Sequence, residues 1–327
     1  MTLAIIGATG LVGSEIIKIL ETEKLERFKN IFFVASSKNV GKKIKYRNKT
    51  HKIISIKQAI EKQPDYALFS AGSKTSTKYA AVFSKKGTTV IDNSSAFRME
   101  KNTKLIVPEV NKDILKKEDK IIANPNCSTI QLVLAMHPIH KKYKTKRIVV
   151  STYQSVSGSG KKGVNQLQLE EKNKNPKTKA YKKTIHRNVI PKCDSFLPNG
   201  YTKEEEKIIN ETNKILNSKI KITATAVRVP TLGGHGESVN IETEKKASIE
   251  QIIGVLKKQT GLFVDEGEKY KTPNEVRNRN GVYVSRVRKD HSVKNGFNMW
   301  IVADPLRKGA ATNAIQILNQ MIILKQQ

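Results

Sequence analysis

Apolar residues in the first part of the chain come in short, largely β-branched runs separated by stretches with helical spacing. Thr2–Ile6 reads as a strand, Gly7–Gly13 as a turn and Ser14–Thr22 as a helix. Further strands are expected over Ile31–Ala35, Tyr66–Ser70, Thr88–Asn93, Lys104–Val107 and Ile121–Ala123, with a helix over Thr77–Lys86. Strands that alternate with helices predict a parallel, doubly wound sheet covered on both faces. Near Arg147 the pattern changes. Strands are expected over Ile148–Gln154, Ile220–Val229, Ser238–Glu244, Val282–Arg288 and Asn298–Ala303, and helices over Lys161–Lys172, Lys203–Leu216 and Ser248–Gln259. That set predicts a mainly antiparallel α+β unit. Asn173–Arg187 is charged and poor in apolar residues, and reads as an exposed excursion or lid; Gly309–Leu324 reads as a closing amphipathic helix.

Composition narrows this picture without redirecting it. A chain of 327 residues is too long for one small core and suits two domains. No run approaches the ~18 consecutive apolar residues of a spanning helix, so no membrane association is expected. The opening residues lack the charged and greasy segments of a secretory signal, and Cys127 and Cys193 stand in unlike surroundings. Both point to a reducing compartment, with cytoplasm the expected location. The net charge of +31 raises the question of nucleic acid. The lysines, however, run from Lys18 to Lys325 without a basic block or an aromatic-interleaved stretch, and arginine, the usual reader of base edges, is far rarer. The charge therefore reads as solvated lysine, and no nucleic-acid partner is expected.

Two places carry candidate chemistry. Gly7-Ala8-Thr9-Gly10-Leu11-Val12-Gly13 follows the first strand and opens the first helix. Glycines there permit a tight turn and close approach to a pyrophosphate, which the helix N-terminus favours. The second strand ends in Ala35-Ser36-Ser37-Lys38, with no carboxylate from Ile31 to Lys57. An NAD site puts an acidic residue there, whereas two hydroxyls and a lysine suit the 2′-phosphate of NADP, the expected cofactor. No metal is expected. The second place is Asn124-Pro125-Asn126-Cys127-Ser128-Thr129, ahead of an apolar helical run. It sets Cys127 at a helix start, where the dipole favours the thiolate that attacks carbonyls. His235 lies among glycines just after Arg228-Val229-Pro230, at the end of a strand, and is the expected acid–base partner. Cys193 and the other histidines read as packing or surface residues.

The stretches Asn93–Arg98, Val107–Asn111, Asn124–Gln131, Thr152–Gly158, Arg228–Asn240 and Lys308–Asn313 resemble, in order and over nearly the whole chain, the motifs of the aspartate-semialdehyde dehydrogenases. The resemblance implies NADPH-dependent reduction of L-4-aspartyl phosphate to L-aspartate 4-semialdehyde, in the biosynthesis of lysine, threonine, methionine and diaminopimelate. It implies Cys127 as nucleophile, His235 as acid–base residue and Gln154 as an orienting amide. Arg228 matches the arginine that grips the substrate carboxylate, Arg98 the phosphate-binding arginine, and Asn126 stands beside the nucleophile. Glu204 and Lys207 match a Glu-x-x-Lys pair for the substrate amine and phosphate. Gly7, Thr9 to Gly13, Ser36, Ser37, Lys38, Ser157, Gly158 and Asn313 are the expected cofactor contacts. Val40 departs from the family, which often has a serine or threonine there, and Gly233-Gly234 replaces bulkier residues.

The fold so implied is a Rossmann-type NADP domain over 1–127, a catalytic and dimerisation domain over 128–305, and a C-terminal helix, 306–327, returning to the first. A homodimer is expected. The nearest rival is the N-acetyl-γ-glutamyl-phosphate reductase, which runs the same chemistry on an acylated substrate. The Glu204/Lys207 pair favours a substrate with a free amine. A glyceraldehyde-3-phosphate dehydrogenase lacks support, since its acidic residue and cysteine motif are absent. A basic nucleic-acid binder on the same scaffold would leave the ordered cysteine, histidine and arginine motifs unexplained.

Overall fold

The computed structural model describes residues 1–22 and 27–327. The chain divides into two compact units, one of Met1–Pro125 with Ala310–Gln327, the other of Asn126–Gly309.

In the first unit, strands β1 (Thr2–Ile6), β2 (Asn30–Val34), β5 (Tyr66–Phe69), β6 (Thr89–Asp92), β7 (Lys104–Leu105) and β8 (Ile121–Ala123) form a sheet in the order β2-β1-β5-β6-β8-β7. Every pairing in it is parallel. Such strands read as unbroken apolar runs because both faces are covered. Leu3 and Ile5 of β1 pack with α1 (Leu11–Thr22) and the C-terminal helix Thr312–Gln326. Ala4 and Ile6 pack on the other face with α2 (Ile56–Glu61) and α3 (Ser73–Lys85). Each fully buried Leu or Ile contributes roughly 1.5–3 kcal/mol. The C-terminal helix opens with a π-helical turn over Arg307–Ala311 that runs directly into the α-helix Thr312–Gln326. A short helix, α4 (Pro108–Asn111), completes the unit with a hairpin of β3 (Lys43–Tyr46) and β4 (Lys49–Lys52).

In the second unit β9 (Thr145–Gln154), β10 (Lys221–Arg228), β11 (His235–Thr243), β12 (Leu262–Val264), β13 (Val282–Asp290) and β14 (Gly296–Ala303) form a sheet ordered β10-β9-β11-β14-β13-β12. Its three inner pairings are antiparallel, and β9/β10 and β12/β13 are parallel. Helices α5 (Cys127–Tyr143), α7 (Lys203–Leu216) and α8 (Ile249–Lys257) pack together against it. The segment after α6 (Gly160–Glu171) is largely exposed, as its composition suggests, yet it is anchored at several points. Gln166 Oε1 accepts from the Ala180 and Tyr181 backbone N–H groups, and Glu170 Oε2 from those of Ile185 and His186. Ile185 is fully buried beside Leu167. The half-buried Glu170 carboxylate and the buried Gln166 amide tie the segment to α6, with Ile185 as its apolar anchor. No helix among the described residues is long and apolar enough to cross a membrane.

Candidate active site

The glycine loop lies at the end of β1. Gly7 has φ of 93°, in the left-handed region that favours glycine, and it and Ala8 donate to the Val34 carbonyl at 2.9 and 3.0 Å. A Cβ at Gly13 would stand 2.2 Å from the Gly7 carbonyl oxygen, so only glycine lets α1 begin this close to the loop. Leu11, Val12 and Gly13 open α1 and present N–H groups outside the helical ladder. Asn39 Nδ2 donates to Thr9 Oγ1 at 3.4 Å and ties the loop to the chain leaving β2. Ser36, Ser37 and Lys38 are exposed in that same stretch, with no acidic residue among them. The cradle suits a dinucleotide pyrophosphate.

Two further expected residues are fixed inside this unit. Arg98 is buried and donates from Nε to the Asn124 carbonyl at 2.9 Å and from Nη2 to the Asn93 carbonyl at 2.8 Å, which holds its guanidinium in one orientation. Asn313 is fully buried, its amide donating to the Ile106 carbonyl and Asn124 Oδ1 at 2.9 and 2.7 Å. That geometry makes Asn313 a latch of the C-terminal helix.

In the second unit, Cys127 is the first residue of α5 and Asn126 its N-cap. Asn126 Oδ1 accepts from the Ser128 and Thr129 N–H groups, its Nδ2 donates to Glu204 Oε1 at 2.8 Å, and its own N–H donates to Glu211 at 2.7 Å. The cap so fixed aims the helix's positive end at the thiol. A Cβ at Gly309 would stand 2.9 Å from Cys127 Cβ, so glycine there leaves the cysteine its room. Gln154, at the end of β9, donates to Ser128 Oγ at 2.7 Å and to Glu204 at 3.1 Å.

His235 and Arg228 converge on one spot. A Cβ on Gly158 would lie 2.9 Å from Arg228 Nη1 and 3.1 Å from His235 Nε2. Both side chains are buried. Arg228 Nη1 donates to the Ser155 carbonyl at 2.7 Å, its guanidinium lies 5.9 Å from the Tyr181 ring centre, and its Nε has no hydrogen-bond partner. The Ser155 N–H donates to His235 Nδ1 at 3.0 Å, and Ser155 Oγ, which is 2.6 Å from Ser157 Oγ, lies 3.2 Å from the same nitrogen. An accepting Nδ1 leaves the ring proton on Nε2. That Nε2 is buried without a partner. Burial, helped by the Arg228 charge, pushes the imidazole down to about 3, so the ring is neutral at physiological pH.

Glu204 is buried as well. Burial acts to raise its carboxyl, but Lys207, hydrogen bonds from Asn126 and Gln154, and the Arg228 charge outweigh that and hold it below the usual carboxylate range. Lys207 donates to Asp194 at 2.8 Å and to Glu204 at 3.2 Å; burial alone would lower its pKa, and the two carboxylates raise it instead. Of the three adjacent glutamates only Glu204 points here. Glu205 closes a capping box on Thr202 and accepts from the Ala226 N–H, and Glu206 bonds Asn199 and Asn210. The result is a helix-start thiol with an imidazole N–H donor, a guanidinium and an ionised carboxylate in one unit. It can attack an acyl carbon, stabilise the oxygen that becomes negative, and read both charges of an amino acid.

Sequence reasoning missed Ser155, Tyr181 and Asp194. They act through long-range contacts, and only the short Ser-x-Ser-Gly run beside Gly158 offered any local signal for Ser155. Cys193, read as a packing residue, is buried, with its thiol pushed up to about 12 by burial.

The family profile described as semialdehyde dehydrogenase, NAD binding domain, matches residues 2–118, and that described as semialdehyde dehydrogenase, dimerisation domain, matches 136–308. The chain is 44% identical to an aspartate-semialdehyde dehydrogenase of Aquifex aeolicus, over 98% of this chain and 97% of that one. It is 40% identical to an aspartate-semialdehyde dehydrogenase of Bacillus subtilis, over 97% and 96% of the two chains. The crystal structure of aspartate semialdehyde dehydrogenase II from Vibrio cholerae complexed with ASA superposes with a TM-score of 0.94 at 39% identity, over 98% of each chain.

Proposed function

The chain belongs to the aspartate-semialdehyde dehydrogenase family, and from that premise we propose that it reduces L-4-aspartyl phosphate to L-aspartate 4-semialdehyde with NADPH, releasing phosphate. In this reading the Cys127 thiolate attacks the acyl carbon, the bond from that carbon to the phosphate oxygen breaks, and a thioester remains. His235 Nε2–H donates to the carbonyl oxygen as it becomes negative, and Gln154 orients the acyl group. Arg228 holds the α-carboxylate and Glu204 the α-ammonium. Lys207 and Arg98 bind phosphate, with Asn126 setting the start of α5. A nicotinamide held at the glycine cradle would supply the hydride for the acyl carbon, and the Cys127 thiolate is the group released as the aldehyde forms.

The observation that carries this reading is the buried opposite-charge pair, Arg228 and Glu204, beside His235 and Gln154. Arg228 keeps an Nε without a partner, and the α-carboxylate and α-ammonium of a zwitterionic amino acid complement the two buried charges. An N-acetylated substrate has no ammonium for Glu204. The glycine cradle with Thr9, and the Ser36-Ser37-Lys38 exit without an acidic residue, support NADP over NAD. Ser157, Gly158 and Asn313 remain as proposed cofactor-side residues, Asn313 through its hold on the C-terminal helix. A homodimer is supported by the match to a dimerisation domain.

The test is an assay in the oxidative direction. With L-aspartate 4-semialdehyde, NADP reduction should require phosphate, and the N-acetylglutamate semialdehyde should give no comparable rate. Lys38→Glu should lower kcat/KM for NADP relative to NAD, because it removes a positive partner of the 2′-phosphate and adds a repulsive one. Turnover of the N-acetylated substrate at equal rate would sink the substrate assignment. Equal efficiency of the wild type with both coenzymes would rule out Ser36, Ser37 and Lys38 as the reader.

A further inference from the structure

Glu237 has no part in the chemistry above, yet it is fully buried two residues from His235. On β11 the odd positions from His235 onward face the core, so Glu237 shares its face with His235, one pleat further along. On α5, Gln131 lies one turn beyond Cys127 on the same helix face. The helix packs against β11, and Gln131 is the side chain that faces the Glu237 carboxyl. Thr152, the direct cross-strand neighbour of Glu237 on β9, adds a hydroxyl, while Ile301 flanks it on β14. The Gln131–Glu237 contact therefore lies one turn beyond Cys127 on the helix and one pleat beyond His235 on the strand, between the same two elements.

This rung is an expensive place for polar atoms. Neither carboxyl oxygen of Glu237 completes a hydrogen bond, nor do Gln131 Nε2 and Thr152 Oγ1. Groups buried in that condition oppose folding, and a leucine of similar volume at 237 would favour stability. Burial also drives the Glu237 carboxyl well above the ordinary range, which favours its uncharged form, and an amide imitates that form.

We propose that Glu237 is a positioning residue: with Gln131 and Thr152 it forms a buried polar rung that sets the register of α5 against β11, and so the placement of Cys127 relative to His235. The inference rests on the reading of Cys127 and His235 as the reacting pair. An apolar contact at this level slides with little cost, whereas polar groups have few acceptable arrangements. A shift of about 1 Å between reacting groups is enough to cost on the order of a hundredfold in rate.

The experiment is steady-state kinetics and thermal unfolding on the full-length enzyme for Glu237→Leu, Glu237→Gln and Gln131→Met. Glu237→Leu should lower kcat by roughly tenfold to a hundredfold with KM for the semialdehyde little changed. Its Tm should equal or exceed that of the wild type. Glu237→Gln should retain most of kcat, and Gln131→Met, which breaks the contact from the helix side, should reproduce the loss even if Glu237→Leu fails to fold. Wild-type kcat in Glu237→Leu or in Gln131→Met overturns the proposal. So does equal loss in Glu237→Leu and Glu237→Gln, which would mean that the carboxyl acts as an acid. A loss accompanied by a lower Tm would assign Glu237 to stability alone. A wild type inactive on aspartate semialdehyde would instead sink the proposed function, so the two failures are distinguishable.

Discussion

Cys127→Ala is expected to remove turnover, a fall on the order of 10⁴-fold or more, because no other group can carry the acyl intermediate. Fold and cofactor binding should survive: the substitution removes one sulfur at the half-buried start of α5, and the Asn126 cap that fixes the helix does not depend on it. Cys193 provides the internal control. Its thiol is pushed up to about 12 by burial, and so is not a nucleophile near neutral pH. Cys193→Ala should keep most of the activity. Turnover measured in parallel with NADP binding separates the outcomes, and an active Cys127→Ala enzyme would end the thioester mechanism.

Arg228→Lys is expected to cost about 1.5–3 kcal/mol of transition-state stabilisation, a ten- to hundredfold loss in kcat/KM for the semialdehyde. The charge is kept, but a lysine cannot hold the Ser155 carbonyl through one nitrogen while offering a planar fork to a carboxylate. The Tyr181 ring beside the guanidinium also suits a flat cation better than an ammonium. Lys207→Ala should act differently and raise KM for phosphate, since the hydrogen bonds of Lys207 go to Glu204 and Asp194 and those of Arg228 to the Ser155 carbonyl. Should Arg228→Lys change only the phosphate KM, the carboxylate is held elsewhere.

How much of this was legible from sequence depended on whether a residue acts through local or distant contacts. Cys127 was readable because an N-cap asparagine and an apolar run mark a helix start within a few residues. The parallel sheet was readable because strands covered on both faces are apolar throughout. The β3–β4 hairpin was not. Its turn is Arg47-Asn48, both left-handed with φ of 49° and 58°, without the glycine that usually announces such a turn. The helix α2 did carry a signal, the Ser55/Gln58 capping box, which periodicity alone passes over in so short an element.

The start of β11 shows the same limit at the site itself. Its expected first residue was Ser238, whereas the strand begins at His235. Gly234 and Gly236 read as loop, but Gly236 is a strand residue whose missing side chain makes way for Trp300, 2.2 Å from where its Cβ would be. Placing the strand start too late left Glu237 outside any element and hid its shared face with His235. Tyr181 was hidden for a related reason. Its segment is charged and unpatterned, and it is tied down beside Arg228 by Gln166 and Glu170 on the preceding helix and by its own hydroxyl, which donates to Ser159.

Intact-mass measurement of the protein incubated with L-aspartate 4-semialdehyde and NADP, with phosphate left out, tests the thioester on Cys127 most directly. Without phosphate the acyl group has only water to accept it, and should accumulate. The expected result is a mass gain equal to one aspartyl group, mapped to the peptide that carries Cys127, lost when phosphate is added and absent from Cys127→Ala. Full-rate NADP reduction by a protein that never carries the acyl group, or an acyl group found on any other residue, would contradict it.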